Sequence, residues 1–239
     1  MIDTHCHLLP GLDDGPPTQA DALDLARRLA ADGVSRVLCT PHYSAQFPTS
    51  HADAEARLSA LRSELADACI RLEPALAAEV SPGYAVSVST DDLARRSIAG
   101  RYVVVEVLAD TPPPFFAAVL ERLTEAGLAV IFAHPERCRA LQRHAGLVDG
   151  VRRRGALLQV VAPSLLGRWG KEVAALAWRL VDTGRADLLG SDAHGVRRRS
   201  VHLGEAAALV RERLGDAAVS ELTERRPASV LAGLAPPSP

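Results

Sequence analysis

Short apolar runs alternate with amphipathic stretches along almost the whole chain. Seven runs carry the aliphatic and β-branched residues of buried strands: 1–6, 36–40, 73–79, 102–108, 129–133, 156–161 and 186–190. Five stretches between them repeat apolar positions at helical spacing and predict helices over 18–32, 53–70, 114–126, 172–183 and 201–214. Thr18 is placed to cap the first helix, with Asp21 at the reciprocal position, and Gly33, Gly127 and Gly184 fall where helices should stop. Apolar strands separated by helices imply a parallel sheet with the helices outside. Closing that sheet gives the expected fold, an α/β barrel of seven βα units with every strand C-terminus at one end. The 239 residues suit a single domain over 1–239, with no repeat or linker and a tail expected to fray from about residue 234.

Polar residues break the pattern at one kind of place, the C-terminal ends of the strands. His5 and His7 stand two residues apart at the first, so in an extended segment they share a face. His42 follows the second strand, Glu79 the third, Glu106 the fourth, His134 the fifth, and Asp192 with His194 the seventh. Asp14 lies in the turn after the first strand. Taken alone, Glu79 and Glu106 read as rim charges, and Asp14 suits a turn residue and a ligand equally. Taken together, imidazoles and carboxylates at successive strand ends of an apolar barrel need a compensating charge, and metal binding supplies one. Nine donors suit three divalent ions at about three protein ligands each, leaving positions for water and substrate. Three dications exceed the charge of four carboxylates and one bridging hydroxide, and the remaining positive charge suits a phosphate dianion.

Composition narrows the partners. A formal net charge of −2 gives no bulk affinity for nucleic acid or anionic membrane. No apolar run reaches the length of a membrane helix and no targeting segment is visible, so the expected location is the cytoplasm, without membrane insertion. Cys6, Cys39, Cys69 and Cys138 are scattered and read as reduced thiols. A thiolate phosphatase loop needs Arg six positions after its Cys; here those positions hold Leu12, Ala45, Ala75 and His144. Lys171, the sole lysine, sits at a predicted helix start, which argues against a barrel hydrolase built around a carboxylated lysine.

The segments Asp3-Thr4-His5-Cys6-His7, Leu9-Pro10-Gly11-Leu12-Asp13-Asp14-Gly15, Thr40-Pro41-His42, His134-Pro135-Glu136-Arg137 and Ser191-Asp192-Ala193-His194 resemble the polymerase-and-histidinol-phosphatase superfamily. Within it they are most similar to the bacterial manganese-dependent protein-tyrosine phosphatases of capsule and exopolysaccharide operons. The resemblance implies a distorted (β/α)7 barrel holding three divalent ions, manganese first and iron or zinc as alternatives. It implies His5, His7 and Asp192 on one ion, with Glu79 bridging to a second completed by Glu106 and His134, and Asp14, His42 and His194 on the third. The expected reaction is in-line attack on phosphorus by a metal-bridging hydroxide, with Arg137 gripping the phosphate and one of Arg197, Arg198 and Arg199 assisting. The implied partner is a phosphotyrosine protein, a membrane-associated tyrosine autokinase of polysaccharide synthesis; oligomeric state stays open.

Departures from the family pattern bear on substrate preference: Tyr43 where a second His is usual, Pro163 for a Gly, Gly195 for an Asn, and three prolines between Glu106 and Phe115. Three other functions compete with the phosphotyrosine reading. They are hydrolysis of a small phosphomonoester such as histidinol phosphate, a TatD-like metal-dependent deoxyribonuclease, and a non-catalytic metal-binding scaffold.

Overall fold

The computed structural model describes residues 1–197 and 199–235. Among the described residues nine strands, all paired in parallel, are interleaved with helices except between β2 and β3 and between β4 and β5. The strands are β1 (Ile2–Cys6), β2 (Arg36–Cys39), β3 (His42–Tyr43), β4 (Glu73–Leu76), β5 (Glu79–Val80), β6 (Tyr102–Glu106), β7 (Ala129–Ala133), β8 (Leu157–Val161) and β9 (Leu188–Gly190). Five main helices follow the predicted stretches closely: α1 (Gln19–Ala31), α2 (His51–Asp67), α5 (Pro113–Glu125), α9 (Lys171–Asp182) and α10 (Leu203–Leu214). Shorter helices fill the connections: α3 (Pro82–Ser87), α4 (Thr90–Arg95), α6 (Arg139–Arg143), α7 (Ala145–Arg153), α8 (Ala162–Leu165), α11 (Asp216–Ser220) and α12 (Arg226–Leu231).

The expected single closed sheet is replaced by two sheets, one of three strands in the order β1-β2-β4 and one of six in the order β3-β5-β6-β7-β8-β9. The predicted run 73–79 is split between β4 and β5, and the run 36–40 holds β2 alone with an unpredicted β3 just beyond it; these two breaks are where the sheets part. β2 passes into β3 across Thr40-Pro41, where Pro41 has no N–H for a ladder. β4 passes into β5 across Ala77-Ala78, so the two bent runs each contribute to both sheets. At the opposite edge, β1 meets the chain just beyond β9 through a parallel bridge between Cys6 and Ala193. Asp192 N donates to His5 O and His7 N to Ala193 O, both at 2.9 Å. Gly190 permits this approach, because a Cβ there would lie 2.7 Å from the Cβ of His5.

Both faces of the strands are buried, as continuous apolar runs require. Val103, Val105, Val130 and Phe132 pack outward against the helices, with Phe116 of α5 edge-on to Phe132 at 5.1 Å. The alternate residues Val104, Ile131, Ala133 and Leu188 form a second cluster with Leu38, Tyr102 and Val230 of α12. The expected frayed tail is partly tied down: Tyr102 Oη donates to Leu234 O at 2.9 Å, and residues 236–239 lie outside the described residues. Thr18 accepts from Asp21 N at the start of α1, while Gly33, Gly127 and Gly184 all take positive φ after their helices.

Candidate metal centre

The strand-end residues converge. His5 and His7 leave β1 pointing the same way, with their Nε2 atoms 3.3 Å apart. Each ring is held from behind by its other nitrogen. His5 Nδ1 lies 2.7 Å from Gln159 Oε1, and His7 Nδ1 lies 2.6 Å from Asp13 Oδ2. With Nδ1 protonated toward these oxygens, both Nε2 lone pairs face one another. Around them stand Glu79 Oε2, at 3.4 and 3.3 Å, and Asp192 Oδ1, at 3.6 and 3.9 Å. All four residues are buried. Lone pairs and carboxylates packed this closely in a dry site repel unless positive charge lies among them. Protons or cations meet that need, and the donor set fits divalent ions.

Four groups of side chains bring donor atoms within 4.8 Å of one another: His5, His7 and Asp192; His5, Glu79 and His134; His7, Asp14, His42 and His194; and His42, Glu79 and Glu106. Every residue expected as a ligand is therefore in this cluster. Glu106 shares a group with His42 and Glu79, and His134 shares one with His5 and the same Glu79. Cys6 is in none of these groups, and its thiol points to Ala193 O. Two imidazole nitrogens, His134 Nδ1 and His194 Nε2, are buried without a hydrogen-bond partner among the described residues.

Without metal, protons fill part of the role. Burial lowers the affinity of His7 for a proton, but the Asp13 carboxylate outweighs it and lifts the imidazole to about 10. Burial also opposes a charge on His5, yet Glu79 and Asp192 raise it. Glu106 is pushed up to about 7, first by burial and then by Glu79. His134 and His194 move the other way, down to about 4, through burial reinforced by Arg137 and by His7 respectively. Asp192 is driven well below the usual carboxylate range by Arg137, His5 and Arg199, against its own burial.

The backbone is unusual where these groups are displayed. Non-glycine residues with positive φ are His134 (37°), Asp192 (53°) and Arg199 (51°), besides Cys69 and Ala99 elsewhere among the described residues. Left-handed conformations at three site residues are local strain held by the surrounding structure. At His134 the strain turns β7 into a single helical turn, Pro135–Arg137, which carries Arg137 to the rim.

Arg137 and Arg199 converge on Asp192: one through Nη2 to Oδ2, the other through Nη2 to both carboxylate oxygens at 2.8 Å. Both Nε atoms are buried and without a partner among the described residues. Arg197 is exposed on the wall of a cavity of about 530 Å³ that Asp14, His194 and Arg199 also line. Arg198 lies outside the described residues. Trp169 is 43% exposed, and its ring lies over the Arg137 guanidinium at 4.6 Å.

Sequence reasoning missed the residues that orient the ligands. Asp13 holds His7 and accepts from His42 N and Gly15 N, both at 2.9 Å. Gln159 in β8 clamps His5 and donates to Thr4 O and Thr4 Oγ1. Asp3 accepts from His5 N and Ser191 N, joining β1 to the segment after β9. Glu136 accepts from Val161 N and ties the Arg137 turn to β8. A glutamine inside the apolar run 156–161 was the one visible signal for Gln159. Tyr43 stacks under Arg96 at 3.6 Å and donates to Asp92 at 2.6 Å, so it braces α4 and is in none of the donor groups.

Parallel α/β architecture with buried histidines and carboxylates at the strand ends defines a metal-dependent hydrolase type of centre. Residues 1–232 match the family described as capsular polysaccharide synthesis, CpsB/CapC, and the chain belongs to that family. It is 30% identical over 232 residues to the tyrosine-protein phosphatase YwqE of Bacillus subtilis (strain 168), covering 94% of this chain and 89% of that protein. It is 22% identical over 241 residues to the tyrosine-protein phosphatase CpsB of Streptococcus pneumoniae, covering 97% and 98% respectively. In three dimensions it superposes on a crystal structure from work on YwqE and CpsB, described there as unique metal-dependent tyrosine phosphatases. That match has a TM-score of 0.87 and 28% identity, and covers 100% of both chains.

Proposed function

We propose that this chain is a metal-dependent protein-tyrosine phosphatase whose centre holds three divalent ions, manganese first, on His5, His7, Asp14, His42, Glu79, Glu106, His134, Asp192 and His194. The observation that carries the reading is the convergence of these nine donors beside two arginines with unpartnered Nε–H groups. The relatives' names add phosphotyrosine as the substrate group. We further read the two sheets as one distorted barrel of seven βα units in a single domain. The support is the bridge between Cys6 and Ala193, with β2/β3 and β4/β5 each counting as one bent strand.

Divalent ions in such a centre supply Lewis acidity, which makes hydroxide available near neutral pH and offsets the charge of phosphate oxygens. The chain's own residues do the rest. Asp13 and Gln159 hold the His7 and His5 rings so that both Nε2 atoms stay free. Arg137 and Arg199 present guanidinium donors at the rim, where a phosphate can compete for the N–H groups now directed at Asp192. A tyrosine phenolate, with a pKa of about 10, departs with little acid assistance, which suits a site whose histidines are ligands. Cys6 is unsuited as a nucleophile, because burial holds its thiol well above the usual range. No helix among the described residues is long and apolar enough to cross a membrane. The proposed partner is a phosphorylated tyrosine autokinase of polysaccharide synthesis, which would bring the membrane association itself.

The test is phosphate release from a phosphotyrosine peptide with Mn²⁺ or with chelator, beside histidinol phosphate, a phosphoserine peptide and single-stranded DNA. Chelator-sensitive release from phosphotyrosine, lost in His5→Ala and strongly reduced in Arg137→Ala, is the expected result. Turnover of histidinol phosphate or DNA alone overturns the substrate assignment.

A further inference from the structure

A second cavity, of about 700 Å³, borders the centre on the side of α6 and α9. Arg137 forms one wall, and Arg139, Gln142, Arg143, Glu172 and Arg179 form much of the rest. The cavity therefore carries four guanidinium groups against one carboxylate. Arg139, Arg143 and Arg179 are exposed and make no ion pair among the described residues. Some exposed helical arginines elsewhere are matched, Arg27 with Asp24, Arg95 with Asp92, Arg213 with Asp182 and Arg225 with Glu221, while Arg28, Arg57 and Arg153 have no ion pair among the described residues and lie outside this cavity. Unmatched like charges in one concavity repel one another, and an anion that enters relieves the repulsion. Forked guanidinium donors suit carboxylate and phosphate alike.

We propose that this cavity is a second anion subsite of the enzyme, taking an acidic or phosphorylated side chain of the same peptide whose phosphotyrosine occupies the metal centre. The inference rests on the phosphatase reading above. Arg137 is the shared wall: its guanidinium reaches Asp192 in the centre and also lines the cavity. An occupant of the cavity is thus adjacent to the scissile phosphate, within reach of a short extended peptide. Trp169, lying over Arg137, offers an exposed apolar surface for the segment between the two anions. The subsite selects substrates through binding and takes no part in the bond-breaking step.

The experiment compares the manganese-loaded wild type with the triple variant Arg139→Ala, Arg143→Ala, Arg179→Ala on four substrates. These are p-nitrophenyl phosphate, a phosphotyrosine peptide with neutral flanks, the same peptide with one Glu walked along it, and the same peptide with a second phosphotyrosine. The triple variant should match wild type within about twofold on the first two. It should raise KM for the anionic peptides by about tenfold with kcat little changed, the combined effect of three exposed charge contacts. Added salt should narrow the gap. The Glu and second-phosphotyrosine arms decide which anion the cavity prefers. Glu172→Gln, which removes the lone carboxylate, should lower the same KM. Equal losses on neutral and anionic peptides, or no preference in the wild type, overturn the subsite. If nothing is turned over, the phosphatase reading has failed separately, and peptide binding by fluorescence anisotropy still decides: anion-dependent affinity lost in the triple variant supports the subsite, equal affinity refutes it.

Discussion

Replacing Asp13 by Asn changes one atom and should cripple the centre without unfolding the protein. The carboxylate accepts three bonds, from His7 Nδ1 at 2.6 Å, His42 N at 2.9 Å and Gly15 N at 2.9 Å. Whichever way the Asn amide turns, its NH₂ faces a donor: either the His7 ring and His42 N–H, or the Gly15 N–H. The first orientation drives the His7 proton onto Nε2, the nitrogen that faces His5 Nε2 at 3.3 Å. Loss of a charge-assisted bond in a dry site costs about 2 kcal/mol, and losing a ligand's orienting partner lowers metal affinity about 10- to 100-fold. One effect runs the other way. The Asp13 carboxylate lifts His7 to about 10 against burial, so its removal also weakens competition from protons. A dication feels that carboxylate twice as strongly as a proton does, so the balance remains a loss. Mn²⁺ titration against a competing chelator measures it, with thermal melts of the chelated protein as a control for folding. In the wild type, affinity should climb as pH rises toward 10; in Asp13→Asn it should be weaker and level off at lower pH. Wild-type affinity in a folded Asp13→Asn variant, within twofold, refutes the orienting role.

Asp3, buried with Oδ2 unpartnered, is pushed from 3.8 up to about 6, chiefly by burial. The folded state therefore binds this proton more tightly than the unfolded chain. The contribution is full below about pH 4, and about 3 kcal/mol is lost as pH rises to about 6. Asp3→Asn should gain about that much over wild type between pH 4 and 7 in chemical denaturation of the chelated protein, and a pH-independent difference contradicts it. Gly190→Ala should destabilise by about 1–3 kcal/mol and reduce metal content, because its Cβ would meet His5 at 2.7 Å. Gly150→Ala in α7, with nothing within 4 Å, is the matched control and should be neutral or slightly stabilising in the same melts. Equal effects of the two substitutions would refute the close-approach argument.

Periodicity made much of this protein legible. The apolar runs located seven strand positions, and helical spacing found the five long helices, because both are burial patterns that the chain writes locally. The bends were not legible: the run 73–79 read as one continuous strand, the run 36–40 ended before the short β3 at 42–43, and nothing local to Ala77-Ala78 says that a sheet ends there. Short helices such as α7 were also missed, since Gly146 and Gly150 weaken its pattern and tertiary packing decides. The donors stood out because His, Asp and Glu are conspicuous at apolar strand ends. Asp13 and Gln159 did not, since orienting a neighbour depends on distance across strands, which sequence spacing does not carry. The same holds for Arg139, Arg143 and Arg179, which lie on two helices and meet only in the cavity.

The most direct test of the account is metal content by mass spectrometry, taken together with phosphotyrosine hydrolysis as chelated protein is reloaded with Mn²⁺. The nine-donor centre predicts activity that rises with occupancy toward three ions per chain, with both occupancy and activity lost in His5→Ala. Hydrolysis that persists in metal-stripped protein, or in His5→Ala protein that binds no metal, would contradict it.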